Sequence, residues 1–476
     1  MKNKNQYKIM VFAMLIVISS CKTLNTNLSI REKKIPETFK ERKETTNIAV
    51  INWRQYFADT LLTTLIDSAI NNNLDLQIAL QRIQISRSNV KYAKGALFPE
   101  VNLGASAGVD KFGLYTMNGA GNNGLEIKDG HIIPEVLPDI YLGLQSSWEI
   151  DIWGKLRNQR RGAVANYLST LEGTKFVLTS LISDVAITYY ELIALDNQLD
   201  IIRQTITKQQ EAVDVITMQK EAGRANEFAI EQFNAQLLNA EILEKETLQQ
   251  IAETENKINF LLARYPQEIP RQKEILYKEI PAQIAAGIPS QLLQNRPDIR
   301  ESELMVQATK FDLKSAKAAF FPNLNITAGI GFQAFNPEFL FTTPASLAYS
   351  ALGTLVAPLI NRSALKAKFY NAKASQLSAM YNYQQTILNA YLEVANQLSN
   401  LENLKQINAL KKQQSVCLTK SVQTSTDLFK STKATYLEVL FAQQNALQTQ
   451  LELIDANKRQ QIATVNIYKV LGGGWR

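Results

Sequence analysis

Histidine is almost absent from this chain: His131 is the single one in 476 residues. A paired-histidine metal motif is therefore excluded, and no phosphate loop or nucleophile elbow occurs elsewhere. Nothing in the chain reads as an enzyme, and no cofactor or metal site is expected. Cysteine is nearly missing too. Only Cys21 and Cys417 occur, so no disulfide framework staples the fold, and Cys417 reads as a packed thiol. Charge of one sign is in small supply. The formal net charge is +7, and +4 once three N-terminal lysines leave, too little to predict a nucleic-acid partner. Past the N-terminus, no unbroken run of about 18 apolar residues predicts a transmembrane helix. Glycine and proline are both missing from Leu359 to Leu471, and proline from Asp139 to Tyr265. Segments without either breaker, rich in Ala, Leu, Gln, Asn, Lys and Glu, predict very long helices.

What is present is a duplication. Residues 90–109, VKYAKGALFPEVNLGASAGV, align without a gap at an offset of 223 with residues 313–332, LKSAKAAFFPNLNITAGIGF. At the same offset Asn72-Asn73-Leu74-Asp75-Leu76 meets Asn295-Arg296-Pro297-Asp298-Ile299. A period this long is one half-domain made twice. Each copy passes from a helical pattern, through a proline, into strict alternation. Val101, Leu103, Ala105, Ala107 and Val109 share one face, opposite Asn102, Gly104, Ser106 and Gly108. A second strand follows in each half, over 140–151 and about 347–358, after loops 113–138 and 337–346. Strands apolar on one face and polar on the other fit a half-buried sheet or an outer-membrane barrel.

The first residues read as an address. Lys2, Lys4 and Lys8 precede the apolar run Ile9–Ile18, and Ser19-Ser20-Cys21 follows. This is the layout of a secretory signal, too short to span a bilayer. Val17-Ile18-Ser19-Ser20-Cys21 resembles a bacterial lipobox, with Cys21 as the lipidated residue. Residues 1–20 are thus a signal peptide and 21–50 a polar tether. Residues 51–275 form the first repeat, and 276–476 the linker and second repeat. Five prolines between 266 and 297 keep the linker from being helical throughout.

Each long helical stretch needs one reversal. The first falls at Ala222-Gly223-Arg224-Ala225-Asn226, the second at Ser431-Thr432-Lys433-Ala434-Thr435. A helix over 154–220 would be about 100 Å long at 1.5 Å per residue, beyond a globular core helix. Four amphipathic strands cannot close a barrel, and open edges cannot stay in lipid, so several chains must share one. Two copies would give a plugged core and three an open lumen. Polar faces of Asn, Ser, Thr, Gln and Gly favour three. The helices then continue the barrel as a tube. The basic cluster Lys155, Arg157, Arg160 and Arg161 follows the second strand. It reads either as lipid-phosphate contacts at the membrane edge or as a solvated helix start. Trp148 and Trp153 bracket the same boundary and fit an aromatic girdle.

Several motifs in order complete the pattern: Trp148-Glu149-Ile150-Asp151-Ile152-Trp153-Gly154, Asn295-Arg296-Pro297-Asp298-Ile299-Arg300, Ala319-Phe320-Phe321-Pro322 and Leu471-Gly472-Gly473-Gly474-Trp475. With them the chain resembles the TolC-like outer-membrane efflux proteins, in the lipoprotein branch that includes OprM, CusC and NodT-like proteins. The resemblance covers essentially the whole mature chain. It implies a mostly helical fold with a small membrane β-barrel contribution: a homotrimer of four strands per chain, with a long periplasmic α-barrel. It also implies the outer membrane of a Gram-negative bacterium, contact with its lipid, a periplasmic adaptor and an inner-membrane pump of RND or ABC type. The function implied is the passive exit duct of a tripartite efflux system. By the same resemblance Gly223, Arg224, Ala225, Asn226, Thr432, Lys433, Ala434 and Thr435 form a closable entrance and adaptor contact. Family members often place an acid in this turn. Ala225 stands there instead, leaving Glu221, Glu227 and Asp427 as the nearby acids. Lys22, after the lipidated cysteine, is not the acidic inner-membrane retention signal. Two rival readings stand beside this one: an exit duct for type I protein secretion, and a structural coiled-coil surface lipoprotein.

Overall fold

A computed structural model describes residues 26–31, 33–39, 46–122, 124–128, 130–278, 285–360 and 362–476. The signal peptide and Cys21 lie outside the described residues. The main elements are α1 (Thr60–Asn72), α2 (Leu74–Gly95), β1 (Glu100–Lys111), β2 (Val136–Ile150), α3 (Lys155–Glu221), α4 (Glu227–Leu261), α5 (Pro297–Ala318), β3 (Asn323–Ala334), β4 (Leu347–Val356), α6 (Ser363–Lys430) and α7 (Tyr436–Val470). The duplication holds in most of these bounds, although β2 has 15 residues and β4 has 10. α2 and α5 both have 22 residues, β1 and β3 both 12, α4 and α7 both 35. The helical stretch from Trp53 is broken twice, at Phe57–Asp59 and at Asn73, where Asp59 and Asn73 cap the next helix.

The chain forms two compact units, and each takes pieces from both halves of the duplication. The first holds residues 85–167 and 304–381, with residues 26–31. Its centre is a four-stranded antiparallel sheet in the order β1-β2-β3-β4. Pairing is continuous, from Glu100 opposite Ser147 to Lys111 opposite Val136, and from Ile140 opposite Ala334 to Ile150 opposite Leu324. Among the described residues, β1 and β4 each have one strand partner. The first interstrand loop folds on itself, with a short helix Met117–Asn122 and a small ribbon of Glu126–Lys128 with His131–Ile132.

The second unit holds residues 32–84, 168–303 and 382–476. Its main core packs α1 residues Leu62, Leu65, Ile66 and Ala69 on α3 residues Ile182, Val185, Ala186, Tyr189 and Ile193, with Ile258 of α4 and Tyr468 of α7. Tyr56 stacks on Tyr468 at 4.2 Å between ring centres, and both phenols donate to backbone carbonyls. One stretch of α3 is long and apolar enough to cross a bilayer, but most of it is buried in the protein. The polar stretch read as a tether is partly built in: Phe39 and Ala49 are fully buried, and Phe39 stacks on Tyr391.

The two motifs Asn295-Arg296-Pro297-Asp298 and Leu471-Gly472-Gly473-Gly474-Trp475 meet. Arg296 forks onto Asp298 at 2.7 and 3.0 Å, and donates to Glu393 at 2.6 Å and the Val470 carbonyl at 3.0 Å. Burial opposes its charge, but Asp298 and Glu393 outweigh that and raise its pKa. The Trp475 indole donates to the Asn295 carbonyl at 3.0 Å. Gly472 passes over that carbonyl with φ +91°, where a side chain would meet it at 2.5 Å.

Candidate functional site at the hairpin turns

Each long helix pair reverses through the same turn. Gly223 has φ +72° and Thr432, 209 positions later, has φ +59°. The Gly223 N–H donates to the Lys220 carbonyl at 2.9 Å and the Arg224 N–H to the Gln219 carbonyl at 2.8 Å. Thr432 to Phe429 at 3.0 Å and Lys433 to Leu428 at 2.8 Å repeat the pattern. This is the six-to-one and five-to-two bonding that satisfies orphan carbonyls at a helix C-terminus. Three residues on, each turn supplies a cap. The Asn226 side chain accepts from the Ala229 N–H at 3.0 Å. Glu438 accepts from the Thr435 N–H at 2.6 Å and its hydroxyl at 2.9 Å, which holds the Glu438 pKa below its ordinary value.

Thr432 is the costly member. A β-branched residue in the left-handed region loses about 1–2 kcal/mol against glycine. We therefore expect Thr432→Gly to stabilise the second turn by about 1 kcal/mol. Amide exchange at Thr432–Thr435 should then slow by about fivefold, measured by hydrogen exchange. Unchanged exchange would show that the turn stores no such strain.

The two turns belong to one cluster. Val213, Ile216, Ala229 and Phe233 from the first hairpin bury with Leu440 from the second, and Ala225, Phe429 and Tyr436 pack against them. Phe228 meets Tyr436 edge-on at 6.4 Å. Ala225, packed on that cluster, and Ala434 are half-buried, while Gly223, Arg224, Asn226, Thr432, Lys433 and Thr435 are exposed. The contact through Phe228 and Tyr436 was not legible from spacing. Its only sequence signal is an aromatic two residues after one cap and one residue after the other.

The boundary residues are locked by their own neighbours. Lys155 pairs with Glu149 at 2.6 Å, and Arg157 with Asp151 at 3.1 Å, adding a bond to the Asp151 carbonyl at 3.0 Å. Their charges are met by carboxylates at the end of the preceding strand. Arg160 and Arg161 stay exposed. Trp148 donates to the Leu97 carbonyl at 3.1 Å. Trp153 donates to the Pro322 carbonyl at 2.7 Å and stacks on Phe321 at 4.9 Å. Both indole N–H groups are thus satisfied by backbone carbonyls within the chain.

On the sheet, one face is polar: Asn102, Ser106, Tyr141, Gln145, Ser147, Asn325 and Thr327 align by register, and Gln333 donates to Asp139 at 2.8 Å. Among the described residues, no group of three His, Cys, Asp or Glu is placed to hold a metal ion.

The outer membrane efflux protein model matches residues 65–264 and 288–473. The chain is 27% identical to a probable outer membrane lipoprotein, SilC, of Salmonella typhimurium, across 98% of this chain and 99% of that one. It is 26% identical to the cation efflux system protein CusC of Escherichia coli, with the same coverage. A CusC crystal structure superposes with a TM-score of 0.80 at 25% identity, covering 94% of this chain and 99% of that one. The open-state MtrE channel of Neisseria gonorrhoeae shares the fold, with a TM-score of 0.82 at 21% identity over 95% of this chain and 99% of that one. The repeated helix–strand–strand–hairpin order, the amphipathic sheet with two single-partner edges and the matched family model agree: the chain belongs to the outer membrane efflux protein family and is an outer-membrane efflux channel.

Proposed function

We propose that three copies of this chain assemble into the exit duct of a tripartite efflux system. The observation that carries this reading is the sheet: four antiparallel strands, polar on one face, whose edge strands β1 and β4 have no second partner among the described residues. An unpaired strand edge is untenable in lipid, because each exposed N–H and C=O costs several kcal/mol there. Pairing β1 of one copy with β4 of the next removes both edges, and three copies make a twelve-strand barrel wide enough for water. A periplasmic adaptor and an inner-membrane pump of RND or ABC type would deliver solute to the hairpin turns. Solute then leaves past the interstrand loops without chemistry by the duct. Acyl chains on Cys21 would add anchorage, since two or more chains make such binding stable. Residues 51–275 and 276–476 act as two repeats that each supply one strand pair and one hairpin. Trp148, Trp153, Lys155 and Arg157 would mark the edge of the outer membrane next to the long helices.

The test is mass and conductance of one detergent-purified sample in a planar bilayer. A trimer with small, flickering conductance supports the duct. A monomer with no conductance at any potential overturns it and favours a structural surface lipoprotein.

A further inference from the structure

The four helices that adjoin the sheet, α2, α3, α5 and α6, are strongly basic next to it. Within the first unit, helical residues 85–95, 155–167, 304–318 and 363–381 carry thirteen Lys or Arg and one acid, Asp312. Lys155 is spent on Glu149 and Arg157 on Asp151. None of the other cations forms an ion pair among the described residues. The duplication repeats the pattern. Arg87, Lys91 and Lys94 of α2 recur at the offset of 223 as Lys310, Lys314 and Lys317 of α5, while Ser88, Asn89 and Tyr92 between them differ from Phe311, Asp312 and Ser315. A spacing of i, i+4, i+7 puts each set on one helix face. All but the half-buried Lys317 are exposed.

Two cavities show which side of the helices these stripes occupy. One, of about 210 Å³, is lined by Ser86 and Asn89 of α2, Gln159, Ala163 and Asn166 of α3, and Asp312 of α5. Gln159 also lines the other, of about 420 Å³, with Glu149, Asp151 and Asn323 from the polar side of the sheet. At about 100° per residue, the stripes on α2 and α5, and Arg160 and Arg161 on α3, lie roughly 130° or more around their helices from the cavity residues. The cations therefore stand on the side of the sheet's apolar face, with Val101, Leu103, Leu144 and Ile330. Lys94 and Lys317 each stand six residues before their strand. That is about 10 Å at 1.5 Å per residue, against a headgroup layer of about 5–8 Å per leaflet and a screening length of about 8 Å.

We infer that these stripes form a collar for anionic phospholipid, in which Lys91, Lys94, Lys314 and Lys317 meet the headgroup phosphates of the leaflet nearest the long helices. The inference rests on the apolar face of the sheet being the one that meets lipid, and it gives that membrane contact a charge preference. Cations on every helix that adjoins the sheet, repeated between the halves, fit a continuous anionic surface better than a single protein segment.

The test gives the full-length trimer in detergent equimolar phosphatidylglycerol and phosphatidylcholine with identical acyl chains, and native mass spectrometry counts the lipids retained. Phosphatidylglycerol should outnumber phosphatidylcholine by about fivefold or more at low salt, with the ratio falling toward one as salt rises. The ratio should fall to one in K91Q/K94Q/K314Q/K317Q, persist in K91R/K94R/K314R/K317R, and be untouched by K368Q, on the cavity side. A wild-type ratio of one, or a ratio that the quadruple Gln variant leaves unchanged, overturns the inference. A ratio lost in K368Q moves the lipid to the cavity side and overturns it too. So does displacement of the bound phosphatidylglycerol by soluble polyglutamate, which marks a general polyanion surface. Conductance of the same samples separates the two claims. A conducting trimer without lipid preference sinks the inference alone, whereas a wild-type chain that never conducts sinks the duct.

Discussion

Bridging Ala225→Cys to Ala434→Cys with a bis-maleimide, in a Cys417→Ser background, should hold the channel shut. Conductance is expected to fall by about tenfold or more, to recover when the bridge is left unformed, and to be unaffected by either cysteine alone. The argument starts from packing. The two turns share one small apolar cluster, closed by the Phe228–Tyr436 contact. If opening requires the hairpins to rotate or splay, that cluster must part, and a covalent bridge across it forbids the motion. The same cluster predicts the opposite effect from truncation. Tyr436 is half-buried, so Tyr436→Ala should remove about 2 kcal/mol of packing between the two turns. An open fraction limited by that packing would rise about thirtyfold, because each 1.4 kcal/mol is a factor of ten. Single-channel recording reads both changes. A bridged channel that conducts like the wild type would end the splaying model.

Arg296→Ala should be among the most damaging single changes in the second unit. The side chain is 7% exposed and holds four hydrogen bonds, two to Asp298, one to Glu393 and one to the carbonyl of Val470. Removing one partner of a buried charge network costs about 3–5 kcal/mol, because the remaining groups stay desolvated and unpaired. Glu393 is half-exposed and can rehydrate, so the lower end of that range is expected. Arg296→Lys keeps the charge but cannot reproduce the planar fork, and should fall between the two. Helical circular dichroism on heating reads the order as wild type, then Lys, then Ala. Equal midpoints would show that the network is not what ties the end of α7 to the start of α5.

Much of this was legible along the chain. Missing glycine and proline announced helices of the observed length, since only a breaker ends a helix of good formers. The offset of 223 placed α5 and β3 from α2 and β1 to the residue, because the two copies obey the same local rules. Period two set which residues of β1 share a face. The turns at Gly223 and Thr432 were found for the same reason, although a β-branched residue at φ +59° breaks the local preference that would have named it.

Local rules stopped where a bend or a distant segment supplies the partner. Lys155 and Arg157 form a basic cluster in one dimension, but folding brings Glu149 and Asp151 back across the Trp153-Gly154 bend to pair with them. Phe39 and Ala49 sit in a polar stretch, and only the packing of Tyr391 and its neighbours makes them core. The motifs around Arg296 and Trp475 looked like separate signatures until tertiary structure closed one onto the other. Periodicity and breakers are read by each residue against its near neighbours, so the sequence by itself determined the elements, their order and their faces. Ion pairs and shared clusters depend on which distant faces meet. Tertiary structure alone therefore decided which charges are spent inside the chain, as with Arg296 on Asp298 and Glu393.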